Sequence, residues 1–117
     1  MSKHVLVIED DVASNNLALT LLEGMQFTVR GAFSSEQAFD LVAHEAFDLI
    51  LVDLSLPGLS GWDFLTTLKE HNIHIPCVAM TVYDSPETKR QALAFGFDAY
   101  VAKPYELQHL LQVVNQF

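Results

Sequence analysis

Short apolar runs recur along the chain, and each ends on a residue able to do chemistry. Val5-Leu6-Val7-Ile8 leads into Glu9-Asp10-Asp11, and Leu49-Ile50-Leu51-Val52 leads into Asp53. Val78-Ala79-Met80 leads into Thr81, and Tyr100-Val101-Ala102 leads into Lys103-Pro104. Runs of this length, separated by helix-like stretches, read as parallel strands buried on both faces. In an open α/β sheet the functional crevice lies outside the carboxyl ends of the strands. Carboxylates, a hydroxyl and an ammonium are therefore expected to meet on one edge of the molecule.

The intervening stretches carry helical spacing and punctuation. Leu17, Leu21, Leu22 and Met25 form the first helix pattern, with Gly24 as its expected stop. A strand over about Thr28–Ala32 follows, and then Ser34 with Gln37 resembles a capping box ahead of Ala38, Leu41 and Val42. Pro57, Gly58, Ser60 and Gly61 predict a loop before a helix that uses Phe64, Leu65 and Leu68. Ser85 and Pro86 suit the start of the next helix, and Gly96 its end. Leu107, Leu110, Leu111 and Val114 give a final helical stripe. The alternation predicts a doubly wound α/β domain of (βα)₅ type with a five-stranded parallel sheet.

Composition narrows the function. A length of 117 residues suits one domain, 1–117, and 50% hydrophobic residues exclude disorder. No apolar stretch approaches the roughly 20 residues of a membrane span, and Met1-Ser2-Lys3-His4 carries no signal-peptide pattern. The lone Cys77 cannot form an internal disulfide, which fits a reducing, cytoplasmic compartment. A net charge of −9, with no basic patch beyond Lys89-Arg90, argues against nucleic acid or an anionic membrane as direct partner. The five histidines, His4, His44, His71, His74 and His109, show no ligand-like clustering and read as surface residues.

The strand-end residues point to phosphoryl chemistry. Asp53 alone could be a helix cap, but Pro57-Gly58 separate it from the helix that follows. Glu9 and Asp10 could serve the first helix dipole. Crowding these carboxylates onto one rim is unfavourable without a cation or a proton. Hard oxygen ligands suit Mg²⁺, with Mn²⁺ as the alternative. Lys103 and Thr81 would supply an ammonium and a hydroxyl to a PO₃ group, with a carboxylate beneath as nucleophile.

These four pieces, in this order and spacing, resemble a response-regulator receiver domain of two-component signalling, over essentially the whole chain. The matching residues are Val5–Asp11, Asp53-Leu54-Ser55-Leu56-Pro57-Gly58 with Gly61, Thr81, and Tyr100–Pro104. The resemblance implies a flavodoxin-like (CheY-like) fold with 2-1-3-4-5 strand order. It implies that Asp53 accepts a phosphoryl group from a histidine kinase or a histidine phosphotransfer protein. Asp10, Asp53 and the Ser55 backbone carbonyl would hold the metal, with Glu9 acting directly or through water; Asp11 is the odd acid out. Lys103 would contact the phosphoryl oxygens, and its bond to Pro104 would be cis. Thr81 and Tyr100 would form the switch, the hydroxyl turning toward the phosphoryl while the ring moves inward. A downstream protein would then read the face made by the fourth helix (about Pro86–Phe95), the fifth strand and the fifth helix.

One departure stands out. The residue after the switch threonine is usually small, and here it is Val82, followed by Tyr83. Bulk at these two positions is expected to tune the pocket and slow hydrolysis. Three rivals compete with this reading. A flavodoxin-like cofactor binder needs a phosphate-cradling loop after the first strand, where Glu9-Asp10-Asp11 would repel it. A Mg²⁺-dependent phosphohydrolase of the haloacid-dehalogenase kind needs a second Asp where Ser55 stands. A receiver cut from a longer hybrid kinase or transcription factor would look the same over these residues, although the Met1 start fits a stand-alone domain.

Overall fold

The computed structural model describes residues 3–83 and 85–117; Met1, Ser2 and Asp84 lie outside the described residues. The apolar runs form β1 (His4–Ile8), β2 (Thr28–Ala32), β3 (Leu49–Asp53), β4 (Cys77–Thr81) and β5 (Ala99–Ala102). Between and after them lie α1 (Val12–Gly24), α2 (Ser35–His44), α3 (Gly61–Glu70), α4 (Pro86–Phe95) and α5 (Leu107–Asn115). The strands pair in parallel in the order β2-β1-β3-β4-β5, as the resemblance implied.

Register places the chemistry. Val52 pairs with Ile8 and with Ala79, and Thr81 pairs with Ala102. Glu9, Asp53, Thr81 and Lys103 therefore stand side by side at the carboxyl edge. β3 and β4 are buried throughout, as expected for central strands covered by helices on both faces. One core layer includes Leu6, Ile8, Ile50, Val52, Phe64 and Ala79; the other includes Val7, Leu22, Leu51, Met80, Leu110 and Val114.

The helix signals need several corrections. The core-facing residues of α1 are Asn15, Ala18 and Leu22, while Leu17 is exposed. Leu22 of the predicted pattern is buried, and Leu21 and Met25 pack partly buried against the core, so only Leu17 leaves the face, which begins instead with the polar Asn15. Gly24 is the last helical residue, in keeping with its expected role as the stop, and the left-handed backbone follows at Gln26. In α5 the buried set is Leu110, Val113 and Val114, leaving Leu107 exposed. Ser34 does cap α2, but the Gln37 side chain reaches the Phe33 N–H, so no reciprocal box closes there. The reciprocal box is Ser60 with Asp63 at α3. Ser85 and Pro86 open α4, and Gly96 ends it with φ 128°. His4 is only partly exposed: its ring stacks on Phe47 and bonds Thr28 and Glu45.

Candidate functional site

The site is built where β1, β3, β4 and β5 run out. Each strand keeps its apolar side chains in the core, so the first polar residue beyond it emerges at the edge. The β1–α1 loop contributes Glu9, which is buried, and Asp10, which is exposed. Asp11 turns away and caps α1, accepting from the Ser14 N–H at 2.8 Å. That capping role separates it from its two neighbours. Asp53, the last residue of β3, is buried, and its Oδ1 accepts from the Ser55 N–H at 2.9 Å. Glu9, Asp10 and Asp53 each offer a carboxylate oxygen, all within 4.8 Å of one another.

Lys103 follows β5 and reaches across this cluster. Its Nζ lies 2.6 Å from Glu9 Oε2 and 2.8 Å from Asp53 Oδ2. The Lys103–Pro104 peptide bond is cis. The electrostatics follow from burial around one cation. Burial first, and then the facing Asp53 carboxyl, raise Glu9 to about 7 against the pull of Lys103. Burial pushes Asp53 upward too, but hydrogen bonds from Glu9, Lys103 and the Ser55 N–H outweigh it and hold Asp53 below its ordinary value. Burial opposes the charge on Lys103, and its bonds to Asp53 and Glu9 override that and raise it. Glu9 is thus shifted toward its protonated form and Asp53 toward its anion.

A divalent cation fits this donor set. Three convergent carboxylates are hard oxygen ligands, and on the solvent side Asp10 is exposed. The apposed acids already require positive charge, which Lys103 supplies in this structure.

Thr81 ends β4, fully inside the edge, and its Oγ1 accepts from the Tyr83 N–H at 3.0 Å. Tyr100, in β5, has its ring turned inward and its hydroxyl donating to the Tyr83 carbonyl at 2.6 Å. One peptide segment, at Tyr83, therefore binds both residues of the expected switch. The side chains of Val82 and Tyr83 are exposed, at 63% and 66%.

Two further residues hold the site from behind: Gly61, which belongs to the matching pattern without an assigned role, and Asn15, which is not singled out from sequence. Gly61 opens α3 against the back of Asp53: a Cβ there would meet the Asp53 carbonyl oxygen at 2.4 Å and Leu54 Cα at 3.0 Å. Asn15 is fully buried on α1 and bonds the Glu9 carbonyl. Reading the buried face of α1 as Asn15, Ala18 and Leu22 would have found it.

A family model, the response regulator receiver domain, matches residues 5–115. The chain belongs to that family. Its relatives include the transcriptional regulatory protein ZraR of Escherichia coli, 35% identical over 91% of this chain and 24% of that protein. The cell cycle response regulator CtrA of Brucella ovis is 34% identical over 95% of this chain and 48% of its own length. The chain thus spans about a quarter to a half of these curated relatives. Among solved structures, the receiver domain of Francisella response regulator 1452 superposes with a TM-score of 0.91 at 30% identity, covering 98% of this chain and 95% of that one. A CheY-like receiver domain protein from Methanospirillum hungatei gives 0.87 at 27% identity, covering 99% and 93%. With its acidic cluster at the sheet edge, the domain is a phosphoacceptor of two-component signalling.

Proposed function

We propose that Asp53 is the phosphoacceptor, that phosphoryl transfer depends on Mg²⁺ or Mn²⁺, and that the output face is α4, β5 and α5. The observation that carries this reading is the Lys103 ammonium clamped between Glu9 and an Asp53 held as an anion. A buried carboxylate that remains charged beside a fixed cation is a poised nucleophile. An Asp53 oxygen attacks phosphorus of a phosphohistidine; the P–O bond forms as the P–N bond breaks, and the imidazole leaves with the electron pair. Asp10, Asp53 and the Ser55 carbonyl would hold the cation, with Glu9 binding directly or through water. When bound, it supplies positive charge to the phosphoryl oxygens. Lys103 then exchanges a carboxylate oxygen for a phosphoryl oxygen.

Thr81 and Tyr100 form the switch. As the Thr81 hydroxyl turns toward the phosphoryl group it gives up the Tyr83 N–H, while the inward Tyr100 holds the Tyr83 carbonyl. Tyr100 borders a groove of about 330 Å³ lined by Lys89, Glu106 and His109, which adjoins α4 and α5. Phosphorylation shifts this face only by its differential affinity for two states. Val82 and Tyr83 tune the pocket from the rim.

The phosphodonor is a histidine kinase or a histidine phosphotransfer protein, and the receiver target is a protein, not nucleic acid or a membrane. Residues 1–117 form one receiver domain, either standing alone or joined to more chain, working in the cytoplasm. Among the described residues no helix is long and apolar enough to cross a membrane. Borohydride reduction of the acetyl-phosphate-treated protein, followed by peptide mapping, tests the acceptor. The reduced residue should be Asp53; a label on Asp10 or Glu9 would overturn the assignment.

A further inference from the structure

The acidic pocket is held from behind by an amide. Asn15 is completely buried in α1, on the face that otherwise presents Ala18 and Leu22 to the core. Its Nδ2 donates to the Glu9 carbonyl and to the Ala32 carbonyl, each at 3.0 Å. The Ala32 carbonyl also accepts from the Glu9 N–H at 3.0 Å. One side chain thus ties the ends of β1 and β2 through the Glu9 carbonyl and the Ala32 carbonyl, the second of which also holds the Glu9 N–H. The Glu9–Asp10 peptide plane is set by that carbonyl, and from this plane the exposed Asp10 is aimed at Asp53.

The arrangement has a cost that packing alone does not explain. Asn15 Oδ1 is buried with no hydrogen-bond partner among the described residues. Asparagine is a poor residue for a helix interior, and an apolar side chain of the same size would fill the position without an orphaned carbonyl. The amide is also fitted to its surroundings: a Cβ on Gly31 would lie 2.5 Å from Asn15 Oδ1 and 3.2 Å from Leu19 Cδ1. Gly31 leaves room for the amide; the amide in turn takes both carbonyls.

We propose that Asn15 is a positioning residue for divalent-cation binding, acting through the Glu9 carbonyl to aim Asp10 and Glu9 at Asp53. The proposal rests on the reading that this cluster binds the cation used in phosphorylation. Groups behind metal ligands that fix their orientation commonly change metal affinity by one to two orders of magnitude. Because the side-chain bonds of Asn15 go to the Glu9 and Ala32 carbonyls and not to Asp53 or Lys103, its loss weakens the metal and leaves the acceptor intact.

The test compares Mg²⁺ titrations of the whole chain, followed by amide NMR shifts and separately by phosphorylation rate with acetyl phosphate. Asn15→Leu should unfold cooperatively, bind Mg²⁺ about ten-fold more weakly, and recover most of its phosphorylation rate at saturating Mg²⁺. Leu22→Ala, a cavity on the same helix away from the two carbonyls, should lose stability and keep the wild-type Mg²⁺ affinity. Gly31→Ala keeps the amide but crowds it, and should weaken Mg²⁺ in the same direction, which carries the test if Asn15→Leu does not fold. Wild-type affinity in Asn15→Leu or, failing that, in Gly31→Ala would overturn the proposal. So would an equal loss in Leu22→Ala, because the effect would then be general loosening. A wild-type protein that neither binds Mg²⁺ nor takes up phosphate would instead strike at the function reading itself.

Discussion

Lys103 Nζ sits 2.8 Å from Asp53 Oδ2, so the carboxylate read as the nucleophile is already paired with the cation read as its phosphoryl partner. The same ammonium is 2.6 Å from Glu9. Lysine and a divalent cation therefore compete for the same oxygens, and several outcomes follow from that competition.

Removing the ammonium leaves two buried carboxyls facing each other. Lys103→Ala should destabilise the metal-free protein by about 3 kcal/mol, since breaking a buried ion pair leaves an uncompensated charge. Mg²⁺ should restore much of that loss by binding the folded state. Thermal melts with Mg²⁺ and with EDTA measure both effects. Phosphorylation of Lys103→Ala should nonetheless be impaired at saturating Mg²⁺.

Glu9 should impose a pH dependence on the metal-free protein. Its folded value of about 7 stands above its ordinary 4.5, so the folded chain holds a proton that the unfolded chain releases. That stabilisation is complete below pH 4.5 and is lost as the pH rises through 7. Asp53 is shifted downward, so its contribution is present above its ordinary value of 3.8 and is lost as pH falls below it, outside the Glu9 window. In EDTA, stability should fall with rising pH across that interval through Glu9. Glu9→Gln should flatten the slope in urea titrations; an unchanged slope would assign it to another group.

Much of this site was legible in the chain because each strand is a continuous apolar run, so the first polar residue past it must surface at one edge. Glu9, Asp53, Thr81 and Lys103 are all placed by that rule. What escaped is held by features that hydrophobicity does not report. Asn15 is polar but buried, and Leu17 is apolar but exposed, so the α1 face was misread. The Ser60–Asp63 box is not legible from the usual pattern because that pattern carries Glu or Gln at the third helical position, where this chain has Asp63. Gly61 reads from sequence as loop material and as part of the family pattern, but its missing Cβ, which lets α3 start against the Asp53 carbonyl, shows only in the fold.

Gly61→Ala follows from that last contact. A methyl 2.4 Å from a backbone oxygen cannot be absorbed by a side-chain rotamer change. The substitution should cost about 1–3 kcal/mol and shift β3 at Asp53. Denaturant unfolding gives the first quantity, and slower phosphorylation at saturating Mg²⁺ reports the second. A fully stable and fully active Gly61→Ala would refute the close-packing argument.

Signal lifetime should depend on the rim. Hydrolysis of an aspartyl phosphate needs a water aligned with the breaking P–O bond, so access beside the pocket sets its rate. Val82 and Tyr83 stand exposed beside Thr81, and the phosphorylated protein is expected to decay slowly. Val82→Ala and Tyr83→Ala should each shorten its half-life, followed by loss of the phosphorylated mass after donor removal. Wild-type decay in both would show that bulk at these positions is irrelevant.

The central claim is a metal-dependent phosphoryl transfer to Asp53, and intact mass spectrometry after treatment with acetyl phosphate measures it most directly. With Mg²⁺ the chain should gain a single phosphoryl group, and with EDTA it should gain none. Asp53→Asn should stay unmodified with Mg²⁺ present. Equal modification of Asp53→Asn and the wild type, or full modification in EDTA, would contradict the account.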